Sequence, residues 1–185
     1  MSDRLPNFIR DIRECDDCLL HTTRKAGRRP LIGAGSYPAD ILFLGGTITE
    51  VQETTGKILQ SFDSKYIHNL VERAAIKVAV EEPDIFISNM VFCRATDEKA
   101  GSTRPPKSKE IISCSKHFAR LMEFVKPKYV FFFTKEVERH YKNEFKDYGN
   151  LLRPSYIIRS GGNSSPDFPT QLQKVCEVLE WLKKR

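Results

Sequence analysis

Apolar residues fall in two patterns along this chain. Four short stretches are apolar or β-branched almost throughout: 39–46 (ADILFLGG), 84–92 (DIFISNMVF), 129–134 (YVFFFT) and 155–159 (SYIIR). Runs of that length, bounded by glycine, proline or polar residues, read as strands buried on both faces. Between them the spacing changes. Ile67, Leu70, Val71, Ala74, Ala75 and Val78 recur at helical intervals, as do Ile111, Cys114, Phe118, Leu121, Met122 and Val125. A short helix is expected after the third strand, and 170–185 (TQLQKVCEVLEWLKKR) reads as a closing helix. Strands alternating with helices imply right-handed crossovers and a parallel sheet covered on both sides. The expectation is a single α/β domain over 1–185, a three-layer α/β/α arrangement around a central, mostly parallel four-stranded sheet. Ligands in such folds sit beyond the carboxyl ends of the strands. That singles out segments 45–56, 88–94 and 153–159.

Length and composition agree with one domain. The chain has 185 residues, 40% hydrophobic and 29% charged, the balance of a water-soluble globular protein. No apolar run approaches the roughly 20 residues that span a bilayer, so no membrane partner is expected. The opening residues, MSDRLPNFIRDIRE, are charged and lack the apolar core of a signal peptide. A cytoplasmic chain is expected, nucleoid-associated if it binds DNA. Thirty Lys and Arg against 24 Asp and Glu give a net charge of +6, concentrated at 24–29 (RKAGRR) and at the terminal KKR. Basic patches suit polyanions, nucleic acid above all, though solubility alone accounts for such an excess equally well.

Five cysteines add chemistry: Cys15, Cys18, Cys93, Cys114 and Cys176. Cytoplasmic chains rarely use them for disulfides, so the C-x-x-C at Cys15 and Cys18, within an N-terminal segment 1–35, points to metal or redox chemistry. A thioredoxin-type pair follows a strand and opens a helix. This pair instead precedes every strand, at the end of a predicted N-terminal helix. Cys93 ends the second strand, and Cys114 lies in the next helix with 20 residues between them. Four thiolates satisfy zinc or an iron–sulfur cluster, and spacing does not choose between them. Cys114 and Cys176 also fall on apolar helix faces, where buried thiols are common. The four histidines, His21, His68, His117 and His140, are scattered, and none falls in a singled-out segment.

Taken in order, these features resemble the iron–sulfur uracil-DNA glycosylases, family 4 of that superfamily. An N-terminal C-x-x-C comes first, then a glycine-ended strand. ISNMVFCR (87–94) stands where the family has a strand ending Asn-Val-Val-x-Cys-Arg, and a further cysteine follows in the next helix. RPSYIIR (153–159) stands where the family has His-Pro-Ser-Tyr-Leu-Leu-Arg. The resemblance covers nearly the whole chain. It implies a 4Fe–4S cluster on Cys15, Cys18, Cys93 and Cys114, with zinc as the alternative, and it implies DNA as partner, single-stranded or carrying uracil or a modified pyrimidine.

Base excision requires a flipped nucleotide, a wall to stack on, an edge reader, a carboxylate near the sugar and a donor near the leaving base. Asn89 matches the family asparagine, whose amide donates to uracil O4 and accepts from N3–H, a pairing that cytosine inverts. The plainer role for Asn89 is to cap a strand end. The family's Gly-Glu-Ala-Pro-Gly is here Gly45-Gly46-Thr47-Ile48-Thr49, so glycine replaces the glutamate. Glu50 and Glu53 lie downstream as candidate substitutes. The family's Gly-x-Pro-Phe is GKIL, which puts Leu59 at the aromatic position, with Phe62 nearby as a replacement or as core. Arg153 stands at the family histidine. It is permanently charged, so it can stabilise a uracil anion or grip a phosphate but cannot shuttle a proton. Ser155 and Arg159 match family positions and are candidate DNA contacts.

Three functions are therefore expected in order. The first is a DNA-binding base or strand reader, or a replication or repair accessory, without efficient uracil excision. The second is an active glycosylase or base-modifying enzyme whose site has been rebuilt around Arg153, Glu50 and Glu53. The third is a metal-stabilised interaction protein. The sequence does not decide whether the chain is an enzyme.

Overall fold

Three of the apolar runs become adjacent parallel strands. The structure, a computed structural model, describes residues 4–24, 26–98 and 101–185. Lys25 of the basic segment, the first three residues of the N-terminal segment and two residues of the loop between Cys93 and Cys114 lie outside the described residues. The strands are β1 (Ala34–Gly35), β2 (Ile41–Thr47), β3 (Ile85–Val91), β4 (Tyr129–Phe132) and β5 (Tyr148–Asn150), and they lie in the order β1-β3-β2-β4-β5. The pairs β2–β3, β2–β4 and β4–β5 are parallel, and β1 runs antiparallel to β3 at the edge.

Side chains alternate across the sheet into two cores. Ile41, Phe43, Ile85, Ile87 and Phe131 pack against helices α4 (Phe62–Val78) and α8 (Phe168–Lys183). Leu42, Leu44, Phe86, Val130 and Phe132 face α1 (Arg4–Arg13) and α5 (Ser108–Val125). Both faces of the sheet are covered, which is why its strands read as continuous apolar runs. The three layers follow. Among the described residues no helix is long and apolar enough to cross a membrane.

The sheet corrects two expectations. It has five strands, not four, because the short β1 joins the edge of β3. In addition, 155–159 is no strand: Pro154–Arg159 forms a helix, α7. Proline at the first helical position has its φ already set and lacks an N–H the helix would leave unpaired. Pro154 and Ile157, three residues apart, point inward, while Tyr156 is exposed. The fourth parallel strand is instead Tyr148-Gly149-Asn150, which has no apolar pattern. A Cβ on Gly149 would sit 2.7 Å from the Tyr129 hydroxyl, so this strand packs through its bare backbone.

The remaining helices set the edge of the sheet. After β2 the chain turns into α3 (Glu50–Thr55), whose capping box closes through Gln52 N–H donating to Thr49 Oγ1 (3.2 Å) and Thr49 N–H donating to Gln52 Oε1 (2.8 Å). The buried Gln52 amide also donates to Ser61 Oγ (3.2 Å), which ties α3 to the start of α4. Helix α2 (Leu20–Thr23) follows the cysteine pair, and α6 (Lys135–Tyr141) follows β4.

Candidate functional site

A cleft of about 280 Å³ opens beyond the carboxyl ends of β2, β3 and β4. Strand ends supply Gly45, Gly46 and Asn89, and Phe133 and Thr134 follow β4. The start of α7 adds Arg153 and Ser155, α4 adds Asp63, and Pro105 and Pro106 form the far wall. The volume lies at the small end for ligand pockets, which run to roughly 300–1,000 Å³. It is suited to one base.

Asn89 sits opposite Gly45 in the parallel register and is only 8% exposed. A Cβ at residue 45 would collide with Asn89 Oδ1, so the glycine is what lets the amide lie across the end of β2. Among the described residues no protein group hydrogen-bonds that amide. Gly46 differs. Its missing Cβ would meet nothing nearer than Pro106 Cδ at 3.9 Å and Met90 Cε at 4.0 Å, so the position has room for a side chain and only apolar neighbours.

Arg153 is the residue just before α7, exposed, with its carbonyl accepting from Tyr156 N–H at 2.9 Å. Two acidic groups that the sequence did not single out line the cleft, Asp63 in the first turn of α4 and Glu136 in the first turn of α6. Burial raises the Asp63 carboxyl above the ordinary value, and the nearby positive charge of Arg159 pulls it back. Arg159 is exposed at the margin of the cleft, outside its lining. The other acidic candidates lie elsewhere: Glu50 is exposed on α3, and Glu53 turns inward. Leu59 and Phe62 are 42% and 73% exposed and line no part of the cleft. The aromatic ring in the cleft is that of Phe133, which stacks on Phe43.

Glu53 receives the Nε–H of Arg94 at 2.8 Å, with side chains 2% and 0% exposed respectively. Arg94 also donates to the Gly101 carbonyl at 2.7 Å. Further along the same loop, Arg104 grips both oxygens of Glu110 at 2.7 and 2.9 Å. These bonds anchor the loop that carries Pro105 and Pro106 over the cleft.

On the opposite side of β3, Cys15, Cys18, Cys93 and Cys114 line one small, apolar-walled cavity with Ile12, Leu20 and Phe92. None of the five cysteines forms a disulfide, and Cys176 is buried in the other core. Burial raises all four thiols, helped by neighbouring thiolates at Cys15, Cys93 and Cys114 and by the charges of Glu110 and Asp17 at Cys18; Cys114 reaches about 12. Without a metal these groups stay protonated. A bound cation reverses that preference, and an all-thiol set matches zinc or an iron–sulfur centre. The donor chemistry suits such a group, while among the described residues the potential ligand atoms within 4.8 Å of one another are those of Cys15, Asp17 and His117.

His117 belongs to this site, although the sequence left it among the scattered histidines. Its Nε2 bonds the Asp17 carboxylate and lies 3.5 Å from Cys15 Sγ. Donors from His117 and Lys116 hold Asp17 down at about 2. The available signal was spacing: His117 is three residues after Cys114, on the same face of α5.

A family model described as Uracil DNA glycosylase superfamily matches residues 32–182. The match contains Cys93 and Cys114 and begins after Cys15 and Cys18. Similar curated proteins include the Type-4 uracil-DNA glycosylase of Saccharolobus solfataricus, 28% identical over 125 residues, covering 68% of this chain and 53% of that protein. The Type-4 uracil-DNA glycosylase of Sulfurisphaera tokodaii is 24% identical over 128 residues, covering 69% of this chain and 53% of its own length. The chain spans about half the length of the curated relatives it matches.

Proposed function

The chain belongs to the uracil DNA glycosylase superfamily, and from that premise we propose that its cleft takes up a single base from DNA and reads it, while excising ordinary uracil poorly. One observation carries this reading: the position after Gly45 is bare. Gly46 has only Pro106 and Met90 near the place of its missing side chain, so no polar group there replaces the family glutamate. Arg153, in the family histidine position, cannot give and take a proton at neutral pH. The reading half remains. Asn89 points an uncommitted amide into a cleft that offers Phe133 as a stacking surface and prolines as walls.

Single-stranded DNA with a central uracil is therefore expected to bind more tightly than the same strand with cytosine. Two hydrogen bonds at about 0.5–1.5 kcal/mol each correspond to roughly 5- to 150-fold. Fluorescence anisotropy on the wild type and Asn89→Ala checks this. Loss of the preference in the variant supports base reading, and equal binding of both strands by the wild type removes it. A cytoplasmic, DNA-associated protein fits this activity.

A 4Fe–4S cluster on Cys15, Cys18, Cys93 and Cys114 is part of the same proposal. When bound, it supplies iron–thiolate bonds that tie the N-terminal segment to β3 and α5, and no step of base recognition runs through it. Anaerobically purified protein is expected to carry iron and acid-labile sulfide that Cys114→Ser loses. Stoichiometric zinc in place of iron would contradict the cluster.

One observation favours a second reading, a glycosylase with a rebuilt site. Asp63 presents a partly buried carboxylate to the cleft that also holds Asn89 and Arg153. An ionised Asp63 can steady an oxocarbenium-like sugar, and Arg153 a departing base anion. The mark of this reading is base release that Asp63→Asn abolishes and that falls as pH drops through the raised range of that carboxyl.

A further inference from the structure

The basic segment at residues 24–29 is not part of the cleft. Arg24, Arg28 and Arg29 meet Arg10 and Arg13 of α1 around one open hollow of about 400 Å³, whose acidic lining residue, among the described residues, is Glu14. Arg24 is anchored there, its guanidinium donating to the Cys15 carbonyl at 3.0 Å. Among the described residues Arg10, Arg13, Arg28 and Arg29 pair with no carboxylate. Some cations elsewhere on the surface pair, such as Lys107 with Asp97, Lys116 with Asp17, Arg120 with Asp11 and Lys128 with Asp40. Others among the described residues, such as Lys57 and Arg153, do not, so what sets the hollow apart is that five arginines gather there. The arginine hollow is thus a concentration of uncompensated charge, contributed by two separate chain segments.

It is also continuous with the neighbourhood of the cleft. An adjoining hollow has Arg13, Arg28 and Arg29 on one side and Lys57, Leu59 and Gln60 on the other. Lys57 lies just past the end of α3, and Thr49 and Gln52 at the beginning of α3 line the cleft. Six helical residues rise about 9 Å, a distance that a few nucleotides of one strand span.

We propose that this arginine surface is a second nucleic-acid site, which grips the phosphodiester backbone of the strand whose base occupies the cleft. The proposal rests on the reading that the cleft takes its base from DNA. Three features select a nucleic-acid strand over another polyanion. The charge is almost all arginine, whose planar fork suits phosphate oxygens. The surface is an open track, not a closed pocket for a compact anion. It also leads away from the cleft within the reach of a few nucleotides. Contacts of this kind position a strand and carry no sequence information.

Titration of labelled single-stranded DNA at several salt concentrations tests the site, with the full chain and the variant R28E/R29E. Both side chains are exposed, and unchanged thermal melting checks that the variant folds. The expected result is at least about tenfold weaker binding, with the slope of log K against log salt reduced by about 0.7 for each phosphate that the variant no longer neutralises. R28K/R29K should recover much of that affinity. The preference for uracil over cytosine should persist in R28E/R29E and vanish in Asn89→Ala. Affinity and salt slope equal to wild type in R28E/R29E would overturn the arginine site. So would anionic vesicles that compete with DNA at equal charge. A wild type with no uracil preference, but with weakened binding in R28E/R29E, would instead overturn base reading and leave the track standing.

Discussion

The double variant Gly46→Glu/Arg153→His is expected to release uracil from single-stranded DNA at least about 10³-fold faster than the wild-type chain. An electrostatic stabiliser is commonly worth about 10²–10³ in rate, and an acid–base group about 10²–10⁴. The structure permits both changes. A side chain at residue 46 starts in open space beside Pro106 and Met90, and Arg153 is an exposed residue at the entrance to α7. Either change alone should recover much less, because groups that act as a unit do not contribute additively. Single-turnover release, followed by alkaline cleavage at the abasic site, measures all three variants. A folded, DNA-binding double variant with no gain would mean that the cleft lacks more than these two groups.

Glu53→Ala is expected to lower stability by about 3–5 kcal/mol, because it leaves the buried Arg94 guanidinium without its carboxylate. For a domain of this size that is a fall of roughly 6–20 °C in Tm. Surface carboxylates offer a contrast: Asp97→Ala, which breaks exposed pairs to Lys107 and Arg104, should cost about 1 kcal/mol or less. Thermal and urea unfolding of the two variants separates a structural Glu53 from a catalytic one. Substitution of a catalytic residue would slow base release and spare Tm. The pair also fixes the loop over the cleft, so DNA affinity should weaken along with stability.

The strands at 39–46, 84–92 and 129–134 were legible because a doubly covered parallel sheet demands unbroken apolar runs. At 155–159 the same cue misled: Ile157 and Ile158 look like strand residues, but Pro154 starts a helix and only Ile157 turns fully inward. The strand at Tyr148-Gly149-Asn150 had no readable pattern, since what packs there is a glycine backbone beneath Tyr129. In the cleft, Gly45, Asn89 and Arg153 could be found because strand ends and a recognisable motif mark them. Asp63 resembled an ordinary charge in a first helical turn; its burial comes from packing across α4 and α7. Leu59 and Phe62 were near the cleft in sequence only. The Ile58–Gln60 turn and the start of α4 leave both side chains exposed, while Phe133, at the carboxyl end of β4, supplies the ring. His117 joined the thiols through docking of the N-terminal segment on α5, an approach between residues about a hundred positions apart.

The central claim is that this cleft reads a base and excises ordinary uracil poorly. Single-turnover release of uracil from single-stranded DNA, with protein in excess and an active family enzyme beside it, tests that most directly. The account predicts DNA bound, with release at least about 10³-fold below the control enzyme. Release at the control rate, abolished by Asp63→Asn, would contradict it and make the cleft a rebuilt catalytic site.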